Sequence, residues 1–207
     1  MLPRQEALTD HDGSSQQVEI GTGRVEAFSD AVMAVIMTIM AFELRPPKGT
    51  TAQALQDQIP SFLVYALSFT FIGIYWNNHH HLMRVAKRIS GAAMWANIFL
   101  LFWLSLIPVT TEWIRLEGAE SLPAAMYGVV SLLAGFAYAV LVRALIRVNG
   151  KESAFAKAIG SDLKGYASLV AYASAVGLAF VTPWIAFGIY AGVAAMWFIP
   201  DRRFVRS

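Results

Sequence analysis

The residues able to do chemistry in this chain crowd into three short runs. Arg24, Glu26, Ser29 and Asp30 open an otherwise apolar stretch, Trp76-Asn77-Asn78-His79-His80-His81 closes a second, and Trp95 and Asn97 begin a third. Such a set invites four chemistries: hydrolysis, metal or haem ligation, proton transfer, or a polar lattice that ties helices together. Hydrolysis fits badly, because Ser29 and Asp30 are adjacent and no G-x-S-x-G elbow presents a nucleophile. No enzyme is expected. Neighbouring histidines on a helix point about 100° apart, so His79, His80 and His81 cannot all face one ion. With no cysteine in the chain, nothing completes a ligand set. Neither a metal nor another cofactor is expected. A relay or pH sensor built on the histidines and a hydrogen-bonded lattice both remain, and the lattice is the simpler reading.

The elements that must position these groups are membrane helices. Only 14% of the 207 residues are charged and 57% are hydrophobic, against about 25% charged in an ordinary soluble domain. The surface of a soluble fold could not be covered, so an all-α integral membrane protein is expected. Six apolar segments stand at about 25–44, 61–80, 93–113, 124–146, 166–181 and 184–199, each near the roughly 20 residues of a membrane-crossing helix or somewhat shorter. Pro123 and Pro183 suit first-turn positions, where a missing N–H costs nothing. Pro108 falls inside the third segment and predicts a kink. The fifth and sixth segments are short and nearly continuous, which predicts a tight helical hairpin. Residues 1–23 read as a polar tail without the apolar core of a signal peptide, 24–200 as the six-helix domain, and 201–207 as a basic tail.

Lysine and arginine placement predicts direction. Arg4, Arg24, Arg84, Lys87, Arg88, Arg143, Arg147, Lys151, Lys157, Lys164, Arg202, Arg203 and Arg206 fall on one side, and Arg45, Lys48 and Arg115 on the other. Cytoplasmic loops carry the basic excess, so both termini are expected in the cytoplasm of a bacterial plasma membrane. The basic residues read as topology signals and contacts with anionic lipid, and no nucleic-acid partner is expected. In this topology the polar start of the first span meets the end of the second and the start of the third. Arg24, Ser29, Asp30, the histidines and Asn97 are then expected in one layer across three helices. Asp30 is expected to accept from His, Trp or Asn donors, since a carboxylate at that depth needs partners.

Arg24-x-x-x-Phe28-Ser29-Asp30 at the start of the first span, with Trp76-x-Asn78-His79-His80 ending the second, resembles the endosomal and lysosomal potassium channels called transmembrane protein 175. The single copy of the motif resembles the prokaryotic, one-repeat branch. The resemblance covers all six spans in number and orientation, with no motif matched in spans four to six. It implies a homotetrameric potassium channel whose first helix lines a central pore. No T-V-G-Y-G filter loop and no arginine-every-third voltage sensor occurs here; the family uses rings of apolar side chains with a nearby hydroxyl layer.

Periodicity supplies residues for those rings. Val35, Thr38, Ile39 and Phe42 stand at i, i+3, i+4 and i+7, one stripe of a helix, and the stripe extends back through Ala31 to Phe28. Asp30 lies about 140° from Val35 around the axis, so a pore-facing Val35 turns Asp30 into its own subunit. The resemblance agrees, placing the apolar constriction at Val35 and the hydroxyl at Thr38. Val35 is smaller than the Leu or Ile usual in relatives, which leaves Ile39 and Phe42 open as the narrowest ring. A narrow apolar neck gates by dewetting, a hydrophobic gate. Arg24, Phe28, Ser29, Asp30, Trp76, Asn78, His79, His80 and Asn97 read as a structural network that locks helices together. Glu43 and Glu112 read as solvated helix ends, or as carboxylates that gather cations at the outer mouth. The other functional class is a secondary transporter or proton-coupled cation exchanger, with Asp30, His79 and His80 as the relay; inverted repeats and broken helices would mark it.

Overall fold

The computed structural model describes residues 21–153, 156 and 162–198. Within them the chain is helical: α1 (Thr22–Glu43), α2 (Ala52–Gln56), α3 (Ile59–Val85), α4 (Gly91–Ser105), α5 (Ile107–Glu117), α6 (Ser121–Asn149), α7 (Leu163–Leu178) and α8 (Pro183–Phe198). Each apolar segment of the sequence holds a helix. The expected tails lie outside the described residues over 1–20 and 201–207.

Among the described residues, four helical stretches are long and apolar enough to cross a membrane: Thr22–Glu43, Ala52–Val85, Gly91–Glu117 and Ser121–Asn149. The last two helices have 16 residues each, about 24 Å at 1.5 Å per residue. They form the tight pair that their short connection predicts, packed on each other.

Local signals explain the boundaries. Thr51 caps the single turn of α2, accepting the Ala54 N–H at 3.2 Å. Pro60 lies in the first turn of α3. Ser90 caps α4, accepting the Ala93 N–H at 3.2 Å. The third span breaks at Leu106, two residues before Pro108, whose ring and missing N–H cannot continue an α-helix. Asp162 caps α7 through the Gly165 N–H at 2.9 Å.

The bundle is built on α6, which packs against α4, α5, α7 and α8, while α1 lies against α3, α4 and α5. Close approach is written into α6. At Gly128 a Cβ would collide with the Tyr190 hydroxyl of α8 and stand 2.9 Å from Val176 Cγ2 of α7. Within a bilayer, lipid tails are as apolar as leucine, so helices associate through packing and interhelical hydrogen bonds. Small residues and buried hydroxyls therefore carry the specificity here. One such layer joins three helices: Thr111 Oγ1 of α5 lies 2.7 Å from Ser68 Oγ of α3, which lies 3.3 Å from Tyr127 Oη of α6. All three residues are buried.

Candidate functional site

The two faces of α1 are unlike. Val25, Ser29, Met33, Ile36 and Met40 are buried, at spacings of three and four that keep them on one side. Phe28, Ala31, Val35, Thr38, Ile39 and Phe42 are exposed on the other. Phe42 is 82% exposed and Val35 55%, against none for Met33. The helix thus inserts one stripe into its own bundle and turns the second away from it. Thr38 Oγ1 donates to Val35 O at 2.9 Å. That bond uses its one proton, so its lone pairs are left for a cation or water.

The buried stripe is anchored by a short relay of hydrogen bonds. His79 Nε2 of α3 lies 2.8 Å from Asn97 Oδ1 of α4. Asn97 Nδ2 donates to Ser29 Oγ of α1 at 2.8 Å, and Ser29 Oγ donates to Val25 O at 2.7 Å. Because Asn97 Oδ1 is an acceptor, His79 carries a proton on Nε2. The three residues are buried to 1% exposure or less. A second contact sits beside the relay, where His80 Nδ1 lies 2.7 Å from Glu26 Oε1 and the His80 ring stacks on Trp76 at 6.0 Å.

The expected network is therefore only partly assembled as drawn. Ser29, His79 and Asn97 come together, whereas His80, stacked on Trp76, makes a separate contact with Glu26 of α1. Asp30 does not accept the hydrogen bonds expected of it: its buried Oδ1 has no partner among the described residues, and neither does His79 Nδ1. Both atoms are acceptors, so neither satisfies the other. Asn78 turns back onto its own helix, donating to Ile74 O at 2.8 Å, while its carbonyl accepts from Tyr138 Oη at 3.3 Å. Arg24, Phe28 and Trp95 are exposed, and the Arg24 guanidinium makes no hydrogen bond among the described residues. The physical reason is rotation, since residues four apart stay on one face of α1 while Arg24 and Phe28 fall outside the Val25–Ser29 stripe.

At the far end of α1, Glu112 and Arg115 of α5 form an ion pair one turn apart. Glu43 is half-buried there, with Oε2 unpartnered among the described residues. Glu112 is thus neither a bare helix end nor a free cation collector.

Comparison with known proteins adds identity to this geometry. Residues 24–108 match the family model described as endosomal/lysosomal potassium channel TMEM175. A potassium channel of Chryseobacterium sp. (strain P1-3) is 45% identical over 185 residues, spanning 89% of this chain and 96% of that protein. The chain belongs to the TMEM175 family. A potassium channel of Streptomyces collinus is 35% identical over 128 residues, 58% of this chain and 62% of its own length. Among solved structures, the crystal structure of a lysosomal potassium-selective channel TMEM175 homolog from Chamaesiphon minutus superposes with a TM-score of 0.73. That match is 24% identical, covers 86% of this chain and 96% of the other, and shows the shared fold. The TMEM175-family chain is accordingly a multi-pass integral membrane protein.

The matched segment, 24–108, runs from the start of α1 to the break in the third span and holds every residue of the relay. Glu26 stands in the sequence as one of the polar groups opening the first span, and the structure adds its contact with His80. Three further participants carry no signal in the sequence. Ser68, Thr111 and Tyr127 stand singly in apolar runs, and only their convergence in space makes a layer.

Proposed function

We propose that this chain is a potassium-permeable cation channel in which four copies place α1 around a common axis. The observation that carries the reading is the division of α1 into a buried Ser29–Met33–Ile36 stripe and an exposed Phe28–Val35–Thr38–Phe42 stripe. Relatives named as potassium channels supply the ion.

In this reading Val35, Ile39 and Phe42 form successive apolar rings, with the Thr38 hydroxyls between them. A narrow apolar neck sheds water and so blocks hydrated ions until it widens. Potassium is larger and less tightly hydrated than sodium, so it loses water more readily on entering such a neck. Threonine oxygens then stand in for part of the lost shell. The relay of Ser29, Asn97 and His79 holds each α1 at a fixed rotation, which keeps the rings in register. Both termini lie in the cytoplasm of a bacterial plasma membrane, by the excess of lysine and arginine in the loops on that side.

The test is flux from liposomes loaded with the purified protein, driven by a K⁺ gradient and repeated with Na⁺. Non-saturating ohmic current with K⁺ preferred is expected, and Val35→Ala and Thr38→Ala should both shift the K⁺ to Na⁺ ratio. Identical ratios in all three proteins would overturn the assignment of the rings. Saturable, coupled flux would overturn the channel itself.

A further inference from the structure

A cavity of about 340 Å³ opens between α3, α6, α7 and α8, on the side of α3 away from α1 and sharing only Asn78 with the network described above. Its inner end is apolar and aromatic, walled by Phe71, Tyr75, Leu169 and Tyr172. Gly135 keeps that end open: a Cβ there would stand 3.1 Å from Leu169 Cδ2 and 3.5 Å from Tyr75 Oη. Its other end is polar, formed by Asn78, Arg143, Asp162 and Tyr166. Chain direction produces this sorting. α3 runs from Phe71 to Asn78 and α6 from Gly135 to Arg143, whereas α7 returns from Tyr166 to Tyr172.

Two features ask for an occupant. Protein interiors are close-packed with few voids larger than a water molecule, yet the apolar end of this cavity stays open beside Gly135. At the polar end Arg143 Nη2 donates to Tyr166 Oη at 2.9 Å, and its guanidinium lies 6.0 Å from the centre of that ring. Arginine has five N–H donors, so this bond leaves most of them for a ligand. Asp162, at the same rim, is engaged at the start of α7 through the Gly165 N–H. Arg147, one turn beyond Arg143, is exposed.

We propose that this cavity holds an anionic phospholipid drawn from the surrounding leaflet. One acyl chain enters between α6 and α7 towards Gly135, and the headgroup phosphate rests on Arg143 with Tyr166. A basic pocket between membrane helices suits such headgroups. Val170 and Tyr166, flanking the cavity on α7, are exposed, so the site lies beside the face that meets lipid. The volume falls at the small end of the roughly 300–1,000 Å³ of ligand cavities, which fits one chain rather than two.

Native mass spectrometry of the purified full chain, titrated with phosphatidylglycerol or phosphatidylcholine of matched chains, tests this. The unmodified protein is expected to retain one phosphatidylglycerol per protomer, preferred by about fivefold, the scale of one basic side chain beside an anionic headgroup. Arg143→Gln should bring the preference close to one. Ala139→Phe, which fills the cavity, should remove the tight molecule of either lipid; Leu169→Phe fills the same space from α7. Equal binding of the two lipids by the unmodified protein, or unchanged retention in the filled variants, would overturn the proposal. A phosphatidylglycerol with a photoreactive chain end gives an answer without any variant. Labelling near Gly135 and Leu169 supports the site, and labelling confined to outward residues such as Val170 overturns it.

Discussion

Asn97 Nδ2 donates to Ser29 Oγ across 2.8 Å, tying α4 to α1 where both residues are sealed from solvent. The same amide reaches His79 through its oxygen, so one side chain sets the relation of three helices. Interhelical hydrogen bonds in membranes average about 0.6 kcal/mol and reach about 2, and lipid-facing apolar contacts give no compensating drive. The relay therefore outweighs any single apolar contact in fixing how α1 is rotated.

Asn97→Leu should lower stability by about 1–2 kcal/mol, because it strands His79 and Ser29 together. Thermal unfolding of the purified protein in detergent measures this. Protein that remains assembled should keep its ion preference. Unchanged stability with an altered K⁺ to Na⁺ ratio would show that Asn97 meets ions instead.

Val35→Asn should raise resting K⁺ flux several-fold, since a polar side chain at an apolar neck removes the barrier to wetting. Liposome flux under a K⁺ gradient reads it. The same substitution at Met33, on the buried stripe, should lower the yield of folded protein and leave no such gain.

Glu26 and His80 are partly exposed, with side-chain accessibilities of 21% and 33%, so their coupling should stay at or below about 1 kcal/mol. A double-mutant cycle with Glu26→Gln and His80→Gln, read by thermal unfolding in detergent, should give a coupling no larger than that. A coupling of several kcal/mol would show that the contact is sealed from water.

Thr111→Val should cost about 1 kcal/mol, since it leaves the Ser68 and Tyr127 hydroxyls of α3 and α6 without the third member of their layer. Ion preference should not move. Unfolding and liposome flux on one preparation separate the two readouts.

Gly128→Ala should destabilise by about 1–3 kcal/mol through overpacking against the Tyr190 hydroxyl and Val176. Adding Tyr190→Phe removes the colliding oxygen and should restore part of the loss, even though it gives up the bond from Tyr190 Oη to Ala124 O at 2.9 Å. Thermal unfolding of the single and double variants decides it.

Much of the fold was legible because it depends on local properties. Hydropathy and length mark the apolar helices, Pro108 marks the break at Leu106, and the 3.6-residue period divides α1 into its Val35 and Ser29 faces. The anchor was half legible. Ser29, His79 and Asn97 were drawn together correctly, since topology brings the ends of three spans to one level. Asp30 lacks the partners that its position in the layer predicts, and Glu26, legible only as a charge in an apolar helix, meets His80 at 2.7 Å.

A membrane protein, its helical segments and a first helix with one polar-anchored face and one apolar face all follow from composition or from spacing within a single helix. Which side chains meet depends on the packed bundle: Asn97 with Ser29, Glu26 with His80, Thr111 with Ser68, and the lining of the cavity between α6 and α7. Those pairings depend on the rotation and depth of one helix against another. That rotation is set by contacts between helices, the Asn97 relay for α1 and close packing at Gly128 for α6, and residue spacing within one helix does not specify them.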